Sequence, residues 1–440
     1  MSCNNIDIYP LLKECCEADK QLKGPTGPKG TSGRNGQNGA NGARGPTGAL
    51  GLNPTNIDAF GRIRVSNPYT IFDTKTRYYN HDQFDSSLTA GGLVTYDIDA
   101  SSFELAVTTT SDAVLRETKK VFAYQPGKSL LILNTFSMSG NSSLTQRVGF
   151  YGAENGIYFE RDGTTLNMVL RSSSYGSLTE NRVAQSAWNG DPLDGTGASG
   201  HVLDPSLVQI YWIDIEWLGV GTVKTGFIIN GEFIICHSFN HANVSGNTTT
   251  YMTTAILPIR YEIESTGGSG TMTQICSTVI SEGGFNQTNV TESAGGGTTT
   301  FPLSSGGTYY PLVSIRLAST RLDAIVAPRQ VNLLSPTVNY YRWVLLLNPT
   351  FSGTVPAWTA SSTGTVEYIL YDTNFDIATQ GTELQSGYIS SRELSVLESD
   401  FFDVQLGRTL SGTSDIITLA VSCINNNANI LAQLGWQELS

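Results

Sequence analysis

The stretch Trp212-Ile213-Asp214-Ile215-Glu216 holds two carboxylates two residues apart. In a strand, alternation puts Asp214 and Glu216 on one face about 7 Å apart, a spacing at which paired carboxylates can work on a glycosidic bond. Trp212 shares that face and could serve as a stacking platform for a sugar ring. A second grouping, Cys236, His237 and His241, has the residue types of a zinc site but supplies at most three ligands where four are usual. Strand alternation would also turn Cys236 and His237 to opposite faces, so a buried cysteine and hydrogen-bonded histidines are the preferred reading. Asp191 and Asp194, on either side of Pro192, make an oxygen-rich turn that could hold calcium, but capping and turn formation account for it better. The sequence contains no P-loop, dinucleotide-binding glycine fingerprint, H-E-x-x-H, EF-hand loop or nucleophile elbow. The expectation is a chain with no catalytic residues, no metal and no cofactor.

The first of these stretches looks like the E-I-D-x-E strand of laminarinase-type β-sandwich glycosidases. In that resemblance the first Glu is the nucleophile, the Asp assists and the last Glu is the acid/base. Trp212 stands where the first Glu belongs, so a retaining mechanism has no nucleophile here. Trp212, Asp214 and Glu216 are left as possible glycan contacts.

Strands are what must position these side chains. Charged residues are only 15% of the 440, Ser, Thr, Asn and Gly abound, and runs of helix formers are rare after residue 60, an all-β profile. Residues 157–171 read as a hairpin turning at Asp162-Gly163, and 208–218 as a long strand. Residues 223–229 and 232–236 form another hairpin about Asn230-Gly231. A second β-rich region contains 309–317, 340–348, 365–371 and 415–423. The expected fold class is mainly β, with antiparallel sandwich domains of jelly-roll or concanavalin-like type. The expected boundaries are 52–82 for a linker and lead-in strand, 83–282 for a first sandwich, 283–308 for a Gly/Thr-rich linker or loop, and 309–440 for a second sandwich.

Upstream, glycines at 24, 27, 30, 33, 36, 39, 42, 45, 48 and 51 keep an unbroken period of three. Only glycine fits the axis where three polyproline-type chains meet, so Gly24, Gly27, Gly30, Gly33, Gly36, Gly39, Gly42, Gly45, Gly48 and Gly51 are the expected axis of a collagen-type rod over 24–51, about 80 Å long. Such a rod requires a homotrimer. Residues 1–23 read as a short helix whose Ile8, Leu11, Cys15, Ala18 and Leu22 recur at coiled-coil spacing, an anchor or nucleus for the rod. Cys15 and Cys16 could bridge chains, although buried free thiols fit better.

The formal charge is −12, and 1–51 carry six basic and four acidic residues, leaving 20 basic against 34 acidic in the remainder. So acidic a body is a poor partner for nucleic acid or an anionic membrane. No apolar stretch approaches membrane-spanning length and none resembles a signal segment. The six cysteines, at 3, 15, 16, 236, 276 and 423, lack framework spacing, which fits synthesis and assembly in the reducing interior of a cell.

Asp58-Ala59-Phe60-Gly61-Arg62-Ile63-Arg64-Val65-Ser66 opens a series of short motifs. It continues with Tyr124-Gln125-Pro126-Gly127-Lys128, Trp188-Asn189, Trp217-Leu218-Gly219-Val220-Gly221, Leu257-Pro258-Ile259-Arg260-Tyr261-Glu262, Arg342-Trp343 and Trp436-Gln437-Glu438. Over about 57–440 this order resembles a family of virion structural proteins of tailed phages, marine ones especially, and of some large DNA viruses. The resemblance implies a capsid, tail or fibre-associated role with no catalytic residues. The expected protein is thus a trimeric fibre, spike or decoration component on a virus particle. Its partners would be its own copies, other virion proteins at the N-terminal segment, and a host surface glycan or receptor. The alternative is a cellular collagen-like adhesin or coat filament.

Overall fold

Ser129–Met138 (SLLILNTFSM) illustrates how the body is built: every second side chain, from Leu130 to Met138, is buried, the period of an extended strand with one face on a core. In the computed structural model of the chain, the described residues are 26–30, 66–77, 83–284, 290–336, 338–390, 394–398 and 404–439. Two units are present, Met1–Arg64 and Val65–Ser440. In the first, only 26–30 are described, exposed and without regular secondary structure. Gly27 and Gly30 lie there with nothing within 4 Å of the place a Cβ would take. The other axis glycines expected over 24–51, and the seam positions Ile8, Leu11, Cys15, Ala18 and Leu22, lie outside the described residues.

The second unit is antiparallel β throughout, and among its described residues the only helical element is a 3₁₀ turn at Gln185–Ala187. No helix among the described residues is long and apolar enough to cross a membrane. Its first sandwich has a front sheet ordered Glu232–Phe239, Val223–Ile229, Gln209–Ile215, Ser129–Met138, Gly270–Glu282, Ser102–Val107 and Leu93–Asp97, with Pro68–Thr74 also paired to Gly270–Glu282. The back sheet runs Thr179–Ala184, Thr165–Ser172, Gly156–Asp162, Leu144–Tyr151, Ile259–Ser265, Ala113–Thr118 and Phe84–Thr89. Phe159 of the back sheet meets Phe136, Tyr211 and Phe227 of the front sheet with ring centroids 5.9, 5.9 and 5.2 Å away, spacings at which aromatic edges and faces attract.

Two hairpin turns test the sequence reading. Asn230 and Gly231 both take positive φ, 53° and 83°, as a type I′ turn needs. The other turn sits one residue later than expected. Asp162 pairs with Thr165 as the last strand residue, and Gly163, at φ 59°, takes the first central position, where a type II′ turn places glycine.

The second sandwich has its own core around Leu312, Trp343, Leu419 and Trp436. One sheet is ordered Thr359–Ala360, Val366–Leu370, Tyr310–Leu317, Ile416–Cys423, Tyr340–Leu347 and Thr382–Ser390. The other is ordered Val290–Gly295, Ala428–Leu439, Ile325–Leu334 and Leu394–Glu398. The expected linker 283–308 is corrected here: its Val290–Gly295 and Phe301–Leu303 both pair with Ala428–Leu439. Threonine-rich sequence there reads as a loop until its partner strand is known.

The two sandwiches are joined by a buried carboxylate. Glu117, 1% exposed, accepts 2.6 Å from Arg260 Nε in the neighbouring back-sheet strand and 3.0 Å from Arg408 of the second sandwich. Around it, Arg408 N donates to Lys119 O, Gln405 Nε2 to Val121 O and Leu410 N to Asp85 Oδ2, while Val121 and Ala123 pack on Ile325. Breaking a buried pair from one side strands the other charge, at about 3–5 kcal/mol. Glu117→Ala is therefore expected to lower unfolding stability by about that much, read by urea titration, and to separate one cooperative transition into two. A single transition at the parent midpoint would contradict this role.

Candidate functional site

Asp214 ends the run of outward-facing positions on Gln209–Ile215, and Glu216 follows where the chain turns through Trp217 to Gly221, closed by Gly221 N donating to Trp217 O at 2.7 Å. Both line a polar depression of about 500 Å³ with Lys128, Ser129, Thr222, Lys224, Asn240 and Glu282. Lys224 is the residue directly across from Asp214 on the adjacent strand. Lys128 is held by Gln125 Oε1 and Gly284 O, each 3.0 Å from its Nζ. The two carboxylates that spacing placed together are thus brought together.

Burial pushes the Asp214 carboxyl up, and the neighbouring charge of Glu216 adds to this, against the Ser129 hydroxyl and Lys224. Its Oδ1 is buried without a hydrogen-bond partner, a costly state for an ionised oxygen. Glu216 is exposed. The depression therefore offers one carboxyl held above the ordinary aspartate range, one open carboxylate and two ammonium groups, a set able to hydrogen-bond a polar ligand.

Trp212 does not belong to it. The indole is 3% exposed, its Nε1 donates to Phe227 O at 3.3 Å, and the Phe233 ring lies edge-on at 5.5 Å. Gly226 is its cross-strand neighbour, where a Cβ would fall 1.9 Å from Ile234 O. The stacking platform expected at Trp212 is corrected accordingly: Phe233, half exposed, is the aromatic surface at this place.

The Cys236 and His237 expectation also changes. A bulge between Thr225 and Gly226 in the register turns both side chains inward, and both are buried. Burial pushes the Cys236 thiol up to about 12, the state of an inert structural cysteine. His237 Nδ1 accepts from Asn189 N at 3.2 Å. His241 Nδ1 sits 2.7 Å from Gly221 O and so carries the proton. No group of three or more His, Cys, Asp or Glu able to hold a metal occurs among the described residues. Asp191 accepts from Leu193 N and Ser199 N, and Asp194 from Thr196 N and Oγ1, so both aspartates organise their own loop.

Sequence reading missed a second cavity of about 250 Å³, lined by Tyr175, Asn181, His241, Asn247 and Tyr251 among others. The His241 ring stacks on Tyr251 at 3.9 Å and 7°, and burial keeps the imidazole neutral, with Nε2 left as an acceptor. The one available signal was the density of Asn, Thr and His over 241–251.

No family model matches the chain, and no curated protein does. Among solved structures, an apo Crh5 transglycosylase aligns at 14% identity and TM-score 0.33, over 49% of this chain and 84% of that one. A Bacillus licheniformis β-glucanase aligns at 10% and 0.30, over 50% and 99%. A Lotus tetragonolobus seed lectin aligns at 8% and 0.30, over 50% and 100%. The sheet orders above establish an antiparallel β-sandwich of the jelly-roll or concanavalin-like kind.

A raised folded-state pKa means the folded chain keeps a proton that the unfolded chain has released. Stability then falls as pH rises from the ordinary value of 3.8 through the folded value, and the loss persists above it. Asp214→Asn should therefore melt above the parent at neutral pH, with the gap closing below pH 3.8, as followed by calorimetry. An equal gap at all pH values would contradict the burial argument.

Proposed function

We propose that this chain is the subunit of a trimeric fibre or spike on a virus particle. In this reading the N-terminal helix anchors or nucleates, the collagen-type rod projects, and the β-body is presented to other virion proteins or to a host surface. The carrying observation is the unbroken three-residue glycine period over 24–51, joined to a large β-body. The motif order over 57–440 supports the viral setting. Three copies on one rod turn weak single contacts into strong ones through effective concentration, which suits attachment without catalysis. The carboxylate-lined depression favours glycan contact as the chemistry of that attachment, because an unpartnered buried oxygen and flanking ammonium groups match hydroxyl-rich ligands.

Sedimentation equilibrium of the full-length chain is expected to give a trimer, and a stable monomer would overturn the proposal. Gly36→Arg places a guanidinium at the crowded axis, so limited proteolysis should cut the rod near its middle while the body stays intact. Equal rod protection in mutant and parent would remove the triple helix. Immunogold labelling should decorate virus particles; labelling of cell surfaces would favour an adhesin instead. Incubation of the chain with glucans and galactans should release no new reducing ends, and their appearance would restore hydrolysis.

A further inference from the structure

An antiparallel sheet with one face in water reads apolar inside and polar outside. The front sheet breaks this rule over three strands. Ser129–Met138 runs Leu130-Leu131-Ile132-Leu133, apolar on both faces, as does Gln209–Ile215 with Ile210 and Trp212 turned outward. On the outermost strand, Phe233 and Ile235 also point outward, 53% and 43% exposed, beside Ile210 at 37%. Cross-strand register joins them into one patch: Ile235 faces Gly226, Gly226 faces Trp212, and Trp212 faces Leu133. Such an exposed apolar surface marks an interaction site.

We infer that this outer face of the front sheet is where copies of the body meet one another around the three-fold axis. The inference rests on the trimer proposed above and names the surface that closes it. Three observations select a second copy as occupant. The chain reaches the body through Pro68–Thr74, which is hydrogen-bonded into this same sheet. Only sixteen residues, 52–67, separate Gly51 from Pro68, so each patch-bearing sheet is tethered within about 55 Å of the rod's end. That tether holds three patches at roughly millimolar effective concentration, enough for a modest apolar contact to close. Finally, the patch positions Leu133, Ile210, Trp212, Gly226, Phe233 and Ile235 carry no charge, so a strongly acidic body repels its own copies least there, and the depression at the patch's margin is left open to a ligand.

In a three-fold assembly each contact is between different parts of neighbouring faces. An uncharged apolar face satisfies that geometry without a symmetric charge clash.

The test uses the full-length chain and a Phe233→Glu, Ile235→Glu variant, whose exposed positions leave the core untouched; far-UV circular dichroism checks that the variant keeps the parent's β signal. Sedimentation is run below and above the rod's thermal transition, with the body still folded. The parent should remain trimeric above it, while the variant falls to monomers there and stays trimeric below. In parallel, mass spectrometry follows alkylation of Cys276, an exposed thiol at a bulge beside the patch. Above the transition it should react at least tenfold faster in the variant. A parent that dissociates as the rod melts, with Cys276 reacting alike in both chains, overturns the assigned face while leaving a rod-held trimer. A parent that is monomeric at low temperature overturns the trimer itself. If the variant misfolds, Ile210→Lys takes its place with the same readouts.

Discussion

Glu117 is a carboxylate that water does not reach, and its burial is tolerable only because guanidinium groups arrive from two directions. Arg260 comes from the adjacent strand of the same sheet, and Arg408 from a segment 291 residues away. Neither sandwich alone completes this charge. The consequence is that the two cores, which by packing are separate clusters, form one body. The loop carrying Arg408 is itself fixed by Gly407 N and Asp415 N, which form a closed exchange with Asp415 Oδ2 and Gly407 O. Rotation of one sandwich against the other would have to break this set and expose Val121, Ala123 and Ile325 together.

What the sequence disclosed was local. Asn230-Gly231 carries its turn type in two residues, and alternation placed Tyr310–Leu317, Tyr340–Leu347, Val366–Leu370 and Ile416–Cys423 within a residue or two, four strands that prove to be neighbours in one sheet. What it concealed depended on partners. Ile325–Leu334 is a long strand interrupted by Pro328, which as a rule argues against a strand. The sheet accommodates it with a register shift between Pro328 and Gln330, invisible without Ala428–Leu439 alongside.

The candidate site divides the same way. Strand period alone put Asp214 and Glu216 side by side. The burial of Trp212 needed knowledge of Gly226, its opposite number across a hairpin, and of Phe233 beyond it. Cys236 and His237 were assigned to opposite faces by a rule that holds only for a regular ladder, and a single bulged residue reversed it. In each case the error came from treating one strand as if its neighbours imposed nothing.

The lead-in strand Pro68–Thr74 has a mechanical meaning. Its six residue pairs with Gly270–Glu282 run antiparallel, and its partner also binds Ser129–Met138 at the centre of the sheet. A pull transmitted from the N-terminal side along this strand loads those pairs in shear, all at once, instead of peeling them singly. Thr278 Oγ1, donating to Phe72 O at 2.8 Å, and Phe72, seated against Phe122 at 4.8 Å, add side-chain grip to the backbone ladder. Under such a pull the backbone ladder and these side chains would share the load.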